Sequence, residues 1–87
     1  MDSIAERVRW MRATPGLSAR TIDSLADLTP GHTALLEGSH RKHPSAETLT
    51  KLARALGVSL DWLSDGQGMP PSESQLRAIG NTHRQAG

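Results

Sequence analysis

The sequence predicts an all-α fold of five short helices, and three observations predict it. The core must be built from Leu, Ile, Val, Ala and Met, because the 87 residues include no Phe or Tyr and only two Trp. Segments of alternating β-branched residues, which would indicate strands, are absent. Serine or threonine precedes each apolar-periodic run, as is typical of residues that cap helix N-termini. A chain of this length forms one domain with little apolar area to spare.

The first two helices are predicted over residues 4–13 and 19–26. Ser3 can cap the first helix and Ser18 the second, while Gly16 helps to end the first because glycine readily adopts positive φ. Apolar residues at helical spacing mark the expected buried faces, which are Ile4, Val8, Met11, Ile22, Leu25 and Ala26.

The segment DSLADLTPGHTALLE, residues 23–37, predicts the end of one helix, a tight turn and another helix. Thr29 is a suitable N-cap and Pro30 a suitable first residue for a third helix over residues 30–37. Asp27 lies in the turn, where its side chain tolerates left-handed backbone geometry. Two helices joined by about three residues form a helix-turn-helix, whose second helix can enter a DNA major groove. The sequence therefore predicts a small DNA-binding module.

Two further helices and a tail complete the predicted chain. Ser45 caps the fourth helix, Gly57 ends it, and Ser59 caps a fifth helix of one to two turns. In the tail, residues 67–87, a brief helix is expected over residues 72–79 and disorder at the end. The expected inward residues are Leu49, Leu52, Ala53, Leu56, Leu60 and Leu63, with Trp10 and Trp62 lying over edges.

Composition excludes several functional classes. The absence of cysteine removes disulfides and thiolate metal sites, and no apolar run is long enough for a signal peptide or a membrane span. No nucleophile elbow, phosphate loop or paired-carboxylate motif is present, so we expect neither an enzyme nor a cofactor. The expected location is the cytoplasm. The net charge of +1 is uninformative, although Arg7, Arg9 and Arg12 cluster in the first helix and permit a basic face.

The segment PSAETLTKLARALGVSLDWLSDG, residues 44–66, carries the most specific motif of the chain. It resembles the fourth and fifth helices of the phage repressor and Cro family of helix-turn-helix proteins, and the resemblance extends over residues 4–66. It implies a five-helix, repressor-like DNA-binding domain in residues 1–66. It also implies an ion pair between Arg12 and Glu37, which ties the first helix to the end of the recognition helix, the third of the fold.

The resemblance implies a DNA-binding surface made by the helix-turn-helix and the loop that follows it. The recognition helix departs from the family because Pro30, Gly31 and Leu35 occupy positions that usually carry hydrogen-bonding side chains. Arg41 and Lys42 are the expected phosphate ligands. The full set of expected DNA-binding residues is Ser18, Ala19, Arg20, Thr29, Pro30, Gly31, His32, Thr33, Leu35, His40, Arg41, Lys42 and His43.

Two polar positions of the helix-turn-helix call for a partner. Asp23 and Thr33 stand where the family usually has apolar residues, and a buried polar group without a partner is costly. We therefore expect a hydrogen bond between their side chains. A metal site at His40 and His43, with Glu37 nearby, is only weakly indicated, because structural metal sites need three or four converging ligands.

Two functions are compatible with the sequence. The favoured one is a transcriptional regulator, most often a repressor in this family, that binds double-stranded DNA as a homodimer on a two-fold operator. The alternative is a protein-interaction module that keeps the fold and docks a protein partner through its apolar recognition helix. The dimer contact is expected either in the tail, at Leu76 and Ile79, or around Trp10 and Trp62.

Overall fold

A computed structural model describes residues 3–38 and 44–86 of the chain. Within these residues the chain is all-α, as predicted, with no strand. The six helices are α1 (Ile4–Ala13), α2 (Ala19–Leu25), α3 (His32–Gly38), α4 (Ala46–Leu56), α5 (Leu60–Asp65) and α6 (Glu73–Ala86). None of these helices combines the length and the hydropathy that crossing a bilayer requires.

Serine side chains begin four of the helices through the same contact. The Oγ atoms of Ser3, Ser18, Ser45 and Ser59 each accept a hydrogen bond from the backbone N–H three residues further on. The bond satisfies one of the donors that a helix N-terminus leaves unpaired, and each such cap contributes about 1 kcal/mol. All four predicted serine caps are therefore confirmed.

The hydrophobic core surrounds α1, which packs against α3 and also against α5. Val8 and Met11 project from α1 into the core and are almost fully enclosed. The core cluster consists of Val8, Met11, Leu17, Ile22, Ala26, Leu36, Leu49, Leu52, Ala53, Leu56, Trp62 and Leu63. Because α1 packs against both α3 and α5, it supports the position of α3 relative to the rest of the domain.

The orientation of α5 differs from the prediction at two residues. Trp62 is only 4% exposed, and its ring meets that of Trp10 edge to face with 5.9 Å between centroids. Leu60, expected to face inward, is instead 40% exposed. The six-residue helix packs against α1 and α4, and the adjacent residues Trp62 and Leu63 fill that contact. Helical periodicity is too weak a guide in so short a segment.

Arg7 is a structural residue and does not belong to a basic face. Its side chain is buried, and its Nε donates to the Leu63 carbonyl at 2.9 Å while Nη2 donates to the Ser64 carbonyl at 3.1 Å. These carbonyls lie in the last turn of α5, where no intrahelical donor is available and a cation is favoured. The cluster of three arginines expected from the sequence is therefore divided by the fold.

The tail helix α6 is longer than predicted and packs on the domain. Leu76 is completely buried, and the Gln75 side-chain amide donates to the Gly57 carbonyl at 2.8 Å. A Cβ atom on Gly80 would lie only 2.6 Å from the Pro15 carbonyl oxygen, so glycine permits a close approach of α6 to the α1–α2 turn. Because Leu76 and Trp62 are both buried within the chain, neither can supply the expected dimer contact.

Candidate nucleic-acid interface

The turn between α2 and α3 depends on the backbone conformation of Asp27. Its φ is 56°, and no other non-glycine residue in the described ranges has a positive φ. The Leu28 N–H donates to the Asp23 carbonyl at 2.8 Å, which closes the end of α2. Aspartate tolerates this left-handed geometry better than most residues, as the sequence predicted. The chain is thereby directed into α3.

Asp23, on α2, caps the N-terminus of α3. Its Oδ1 accepts hydrogen bonds from the Thr33 N–H at 2.8 Å and the Thr33 hydroxyl at 2.6 Å, and its Oδ2 accepts from the Gly31 N–H at 2.8 Å. The predicted bond between Asp23 and Thr33 is therefore confirmed. Burial alone would raise the pKa of Asp23, but these hydrogen bonds and the nearby His32 hold that pKa below its usual value.

This cap changes where α3 begins. The sequence predicts Thr29 as the N-cap and Pro30 as the first helical residue, but both lie in the turn and the helix begins at His32. The Asp23 carboxylate satisfies the first donors of α3, so a neighbouring cap is not needed. Gly31 precedes the helix with a φ of 92°, a conformation that glycine adopts without a steric penalty.

The solvent-facing side of α3 and its approach, here called the outer face, is almost entirely apolar. The outer face consists of Pro30, Gly31, Ala34, Leu35 and Gly38, all of which are exposed. Leu35 is the most prominent, with 70% of its surface exposed. Thr29 is exposed beside it and His32 is half-buried. Ala34 was not among the residues predicted from sequence, although it immediately precedes Leu35 on the same helix.

Thr33 cannot contact DNA and is removed from the predicted interface. Its side chain has no exposed surface, and its hydroxyl donates to Asp23. A threonine at this position points inward because α2 packs against α3 along this side of the helix. Its contribution is to hold the outer face in place from behind.

The predicted ion pair joins α1 to the end of α3. Arg12 Nε donates to Glu37 Oε2 at 2.6 Å and Arg12 Nη2 donates to Oε1 at 2.8 Å, a two-bond contact that fixes orientation as well as distance. The side chains are 26% and 10% exposed respectively. The hydrogen bond to Glu37 raises the pKa of Arg12 despite its partial burial. Arg12 Nη1 also donates to the Leu17 carbonyl at 3.2 Å.

Arg9 is a second arginine at this end of α3, and the sequence-based interpretation missed its role. Its Nη2 donates to the Glu37 carbonyl at 3.1 Å, and its Nε lies 3.7 Å from Glu37 Oε1. The side chain is 56% exposed, so a positive charge remains open to solvent beside the outer face. The spacing of Arg9 and Arg12 could have indicated this, because residues three apart share one face of a helix.

The charges around the outer face are arranged asymmetrically. The carboxylates between residues 18 and 38 belong to Asp23, Asp27 and Glu37, and the first and last of these are buried and hydrogen-bonded. Asp27 is exposed, but it lies in the turn. Arg20 on α2 and Arg9 on α1 are exposed cations. The exposed surface of α3 itself therefore carries no carboxylate.

The start of α2 contains three further residues predicted to lie near DNA. Ser18 is exposed, and its hydroxyl caps α2 by accepting from the Thr21 N–H. Ala19 is half-buried and Arg20 is exposed. Arg20 thus has the exposure that a phosphate contact needs, while the roles of Ser18 and Ala19 stay predictions.

The basic loop predicted to hold phosphate lies outside the described residues. His40, Arg41, Lys42 and His43 all fall in this part of the chain, as does the weakly indicated metal pair. In the described ranges, no three histidine or acidic side chains come together in a way that could hold a metal ion.

Comparison with known proteins agrees with this architecture. The family described as helix-turn-helix matches residues 8–63. Repressor protein CI of Enterobacteria phage phi80 is 30% identical over 73 residues, which cover 84% of this chain. The chain spans only 30% of the length of that relative. No solved structure gives a significant match.

Proposed function

The chain belongs to the helix-turn-helix family, and from this premise we propose that it is a sequence-specific DNA-binding transcriptional regulator, acting as a repressor. In this proposal a homodimer binds a two-fold operator and places one α3 in the major groove of each half-site. The similarity to a phage protein named a repressor supports the repressing role. Regulation of this kind needs no catalytic residue, in keeping with a family of DNA-binding regulators.

The observation that best supports the proposal is that α3 is attached to its neighbours at both ends. Asp23 fixes its first turn through three hydrogen bonds, and Arg12 fixes its last turn through Glu37. The outer face remains exposed between these two attachments. A helix held at both ends and open along one side is suited to insertion into a groove about 12 Å wide.

The proposed phosphate contacts come from α1 and α2, which pack against α3, and from the segment that follows α3 in sequence. Arg20 and Arg9 are exposed on α2 and α1, and the sequence places Arg41 and Lys42 shortly after α3. Each cation that neutralises a phosphate releases counterions, so affinity should fall as salt rises. Burial of Asp23 and Glu37 supports the same contacts, because it removes two negative charges from the surface that would meet DNA.

A protein-docking module is the second candidate, and the 70% exposure of Leu35 favours it. An exposed apolar side chain on a helix can serve as an anchor for a protein groove. However, stable protein interfaces bury on the order of 1,000 Å² or more and centre on clusters of large side chains. The other members of the outer face are Pro30, Gly31, Ala34 and Gly38, which offer little area. DNA is therefore the favoured ligand.

The test is selection of tight binders from random duplex DNA, followed by fluorescence anisotropy across a salt series. We expect enrichment of a palindrome whose half-sites lie about 10 base pairs apart, and an affinity that falls steeply with salt. Enrichment of no sequence would contradict the proposal.

A double substitution separates the two candidates. Arg41→Ala with Lys42→Ala should weaken DNA binding and reduce the salt slope by about two, because the slope counts neutralised phosphates. The matched control is Arg54→Ala with Arg77→Ala, which removes two exposed cations from α4 and α6. Under the protein-docking alternative, the loop substitutions would lower a weak, nonspecific affinity for DNA no more than the control substitutions do, and they would scarcely change the binding of a protein partner.

A further inference from the structure

We propose that Leu35 determines sequence preference by contacting the C5-methyl group of thymine in the major groove. The inference rests on the proposed DNA-binding function and specifies what the outer face recognises. Thymine is the one base that presents an apolar group in the major groove, and the other groups there are hydrogen-bond donors and acceptors. A leucine complements that methyl group and none of the polar ones.

The hydrogen-bonding side chains of α3 are mostly unavailable for reading bases. Thr33 is completely buried and donates its hydroxyl to Asp23. Glu37 is held by Arg12 through two hydrogen bonds and is also buried. His32 alone retains a polar ring within the helix, and it is half-buried. Most recognition along α3 must therefore come from apolar contact.

Leu35 is the one large apolar side chain of α3 that is exposed, and glycines stand before and after it. Gly38 lies three residues after it on the same side of the helix, and Gly31, directly before the helix, accepts a hydrogen bond from the Leu35 N–H at 3.0 Å. Apart from their own chain neighbours and the backbone of α3, no atom of the described residues lies within 4 Å of the position that a Cβ would occupy on either glycine. Leu35 is thus a single aliphatic projection between two gaps, and the gaps allow the edges of neighbouring base pairs to approach the backbone.

The methyl group can be removed from DNA without changing any hydrogen bond. Replacing thymine by uracil at the contacted position should weaken binding about fourfold, as expected from the loss of one buried methyl group. At the same position, 5-methylcytosine should bind about fourfold more tightly than cytosine, because it restores the methyl group in the same place. Both comparisons use the palindrome recovered by selection, with one base substituted at a time.

Leu35→Ala assigns the contact to this side chain. In the variant, the ratio of thymine to uracil affinity should fall from about four to about one, and so should the ratio of 5-methylcytosine to cytosine. The variant should fold normally, because the side chain is 70% exposed, and circular dichroism checks this. Met69→Ala is the matched control, since it shortens another exposed apolar side chain outside the helix-turn-helix. It should leave both ratios at about four.

Three results would overturn the inference, and they are distinguishable. Specific binding with no effect of uracil at any thymine of the half-site would refute methyl reading while leaving the proposed function intact. A uracil effect that persists in Leu35→Ala would assign the methyl contact to another residue. Failure of wild-type protein to enrich any DNA sequence would overturn this inference together with the proposed function.

Discussion

Replacing Asp23 with alanine should destabilise the protein by about 3 kcal/mol, although the residue belongs to no catalytic or core apolar cluster. The Thr33 N–H and hydroxyl would lose their acceptor in a fully enclosed position. Each buried donor left unpaired costs about 1 to 3 kcal/mol. The N–H of Gly31 is on an exposed residue, so water can replace the carboxylate there at little cost. The two donors of Thr33 would together cost about 2 to 6 kcal/mol, and because the hydroxyl can rotate toward another acceptor, the expected loss lies in the lower half of that range, at about 3 kcal/mol.

Urea unfolding followed by circular dichroism measures this loss. A domain of this size has a total stability of roughly 4 to 13 kcal/mol, so the variant should unfold at a much lower denaturant concentration. Asp27→Asn is the matched control, because it removes an exposed carboxylate from the same segment at a positive φ that asparagine tolerates. It should change stability by less than about 0.5 kcal/mol. A loss in Asp23→Ala as small as that of the control would refute the capping argument.

Three further predictions concern pH, the ion pair and α6. Because folding lowers the pKa of Asp23, the carboxylate stabilises the protein above about pH 4, and this stabilisation is lost as pH falls through the folded pKa. The difference in unfolding free energy between wild type and Asp23→Asn should therefore shrink in acid. A difference that grows in acid would contradict this. Glu37→Gln should lower the free energy of unfolding by about 2 kcal/mol, because its ion pair with Arg12 is partly buried. The control Glu47→Gln removes a carboxylate that is 80% exposed and should lower it by less than about 0.5 kcal/mol. Equal losses in urea unfolding would count against a structural role for the Arg12–Glu37 pair. Gly80→Ala should lower the free energy of unfolding by about 1 to 3 kcal/mol, because the new Cβ would lie 2.7 Å from Pro15 Cβ. In a solvent-exposed helix the same substitution raises stability by about 1 kcal/mol. Such a gain would show that α6 does not pack against Pro15.

Local signals in the sequence were sufficient for most helix boundaries. The serine caps at Ser3, Ser18, Ser45 and Ser59 act within one turn, so the residues that form each contact are close in sequence. The end of α4 at Gly57 follows from the same kind of local chemistry. Features of this kind can be predicted from sequence because their free energy does not depend on the tertiary fold.

The start of α3 could not be predicted in the same way. Thr29 and Pro30 have the local chemistry of a helix start, but the capping carboxylate comes from Asp23 on another helix. The sequence does predict that Asp23 contacts Thr33, because a buried acid must find a donor. No local signal connects Asp23 with the Gly31 N–H, so the predicted start of the helix lies two residues too early.

Which side chains of α1 and α5 face inward also could not be predicted without the tertiary structure. Arg7 has the sequence context of an ordinary surface cation, yet its side chain turns inward because the carbonyls at the end of α5 lack donors. Leu60 and Trp62 exchange their expected exposures because the short α5 is oriented by its neighbours. For the candidate interface, the sequence predicts Leu35 and the approach residues Pro30 and Gly31 but not Ala34. Only the tertiary structure shows that Arg9 contacts the end of α3 and that Thr33 is buried.

The most direct test of the account is the ratio of two affinities, measured by competition at physiological salt. One competitor carries the palindrome recovered by selection, and the other has the same composition in scrambled order. If α3 reads the sequence, we expect the selected DNA to bind at least about a thousandfold more tightly than the scrambled DNA, as DNA does with specific regulators. A ratio near one would contradict it, because α3 would then present its outer face to DNA without reading the sequence.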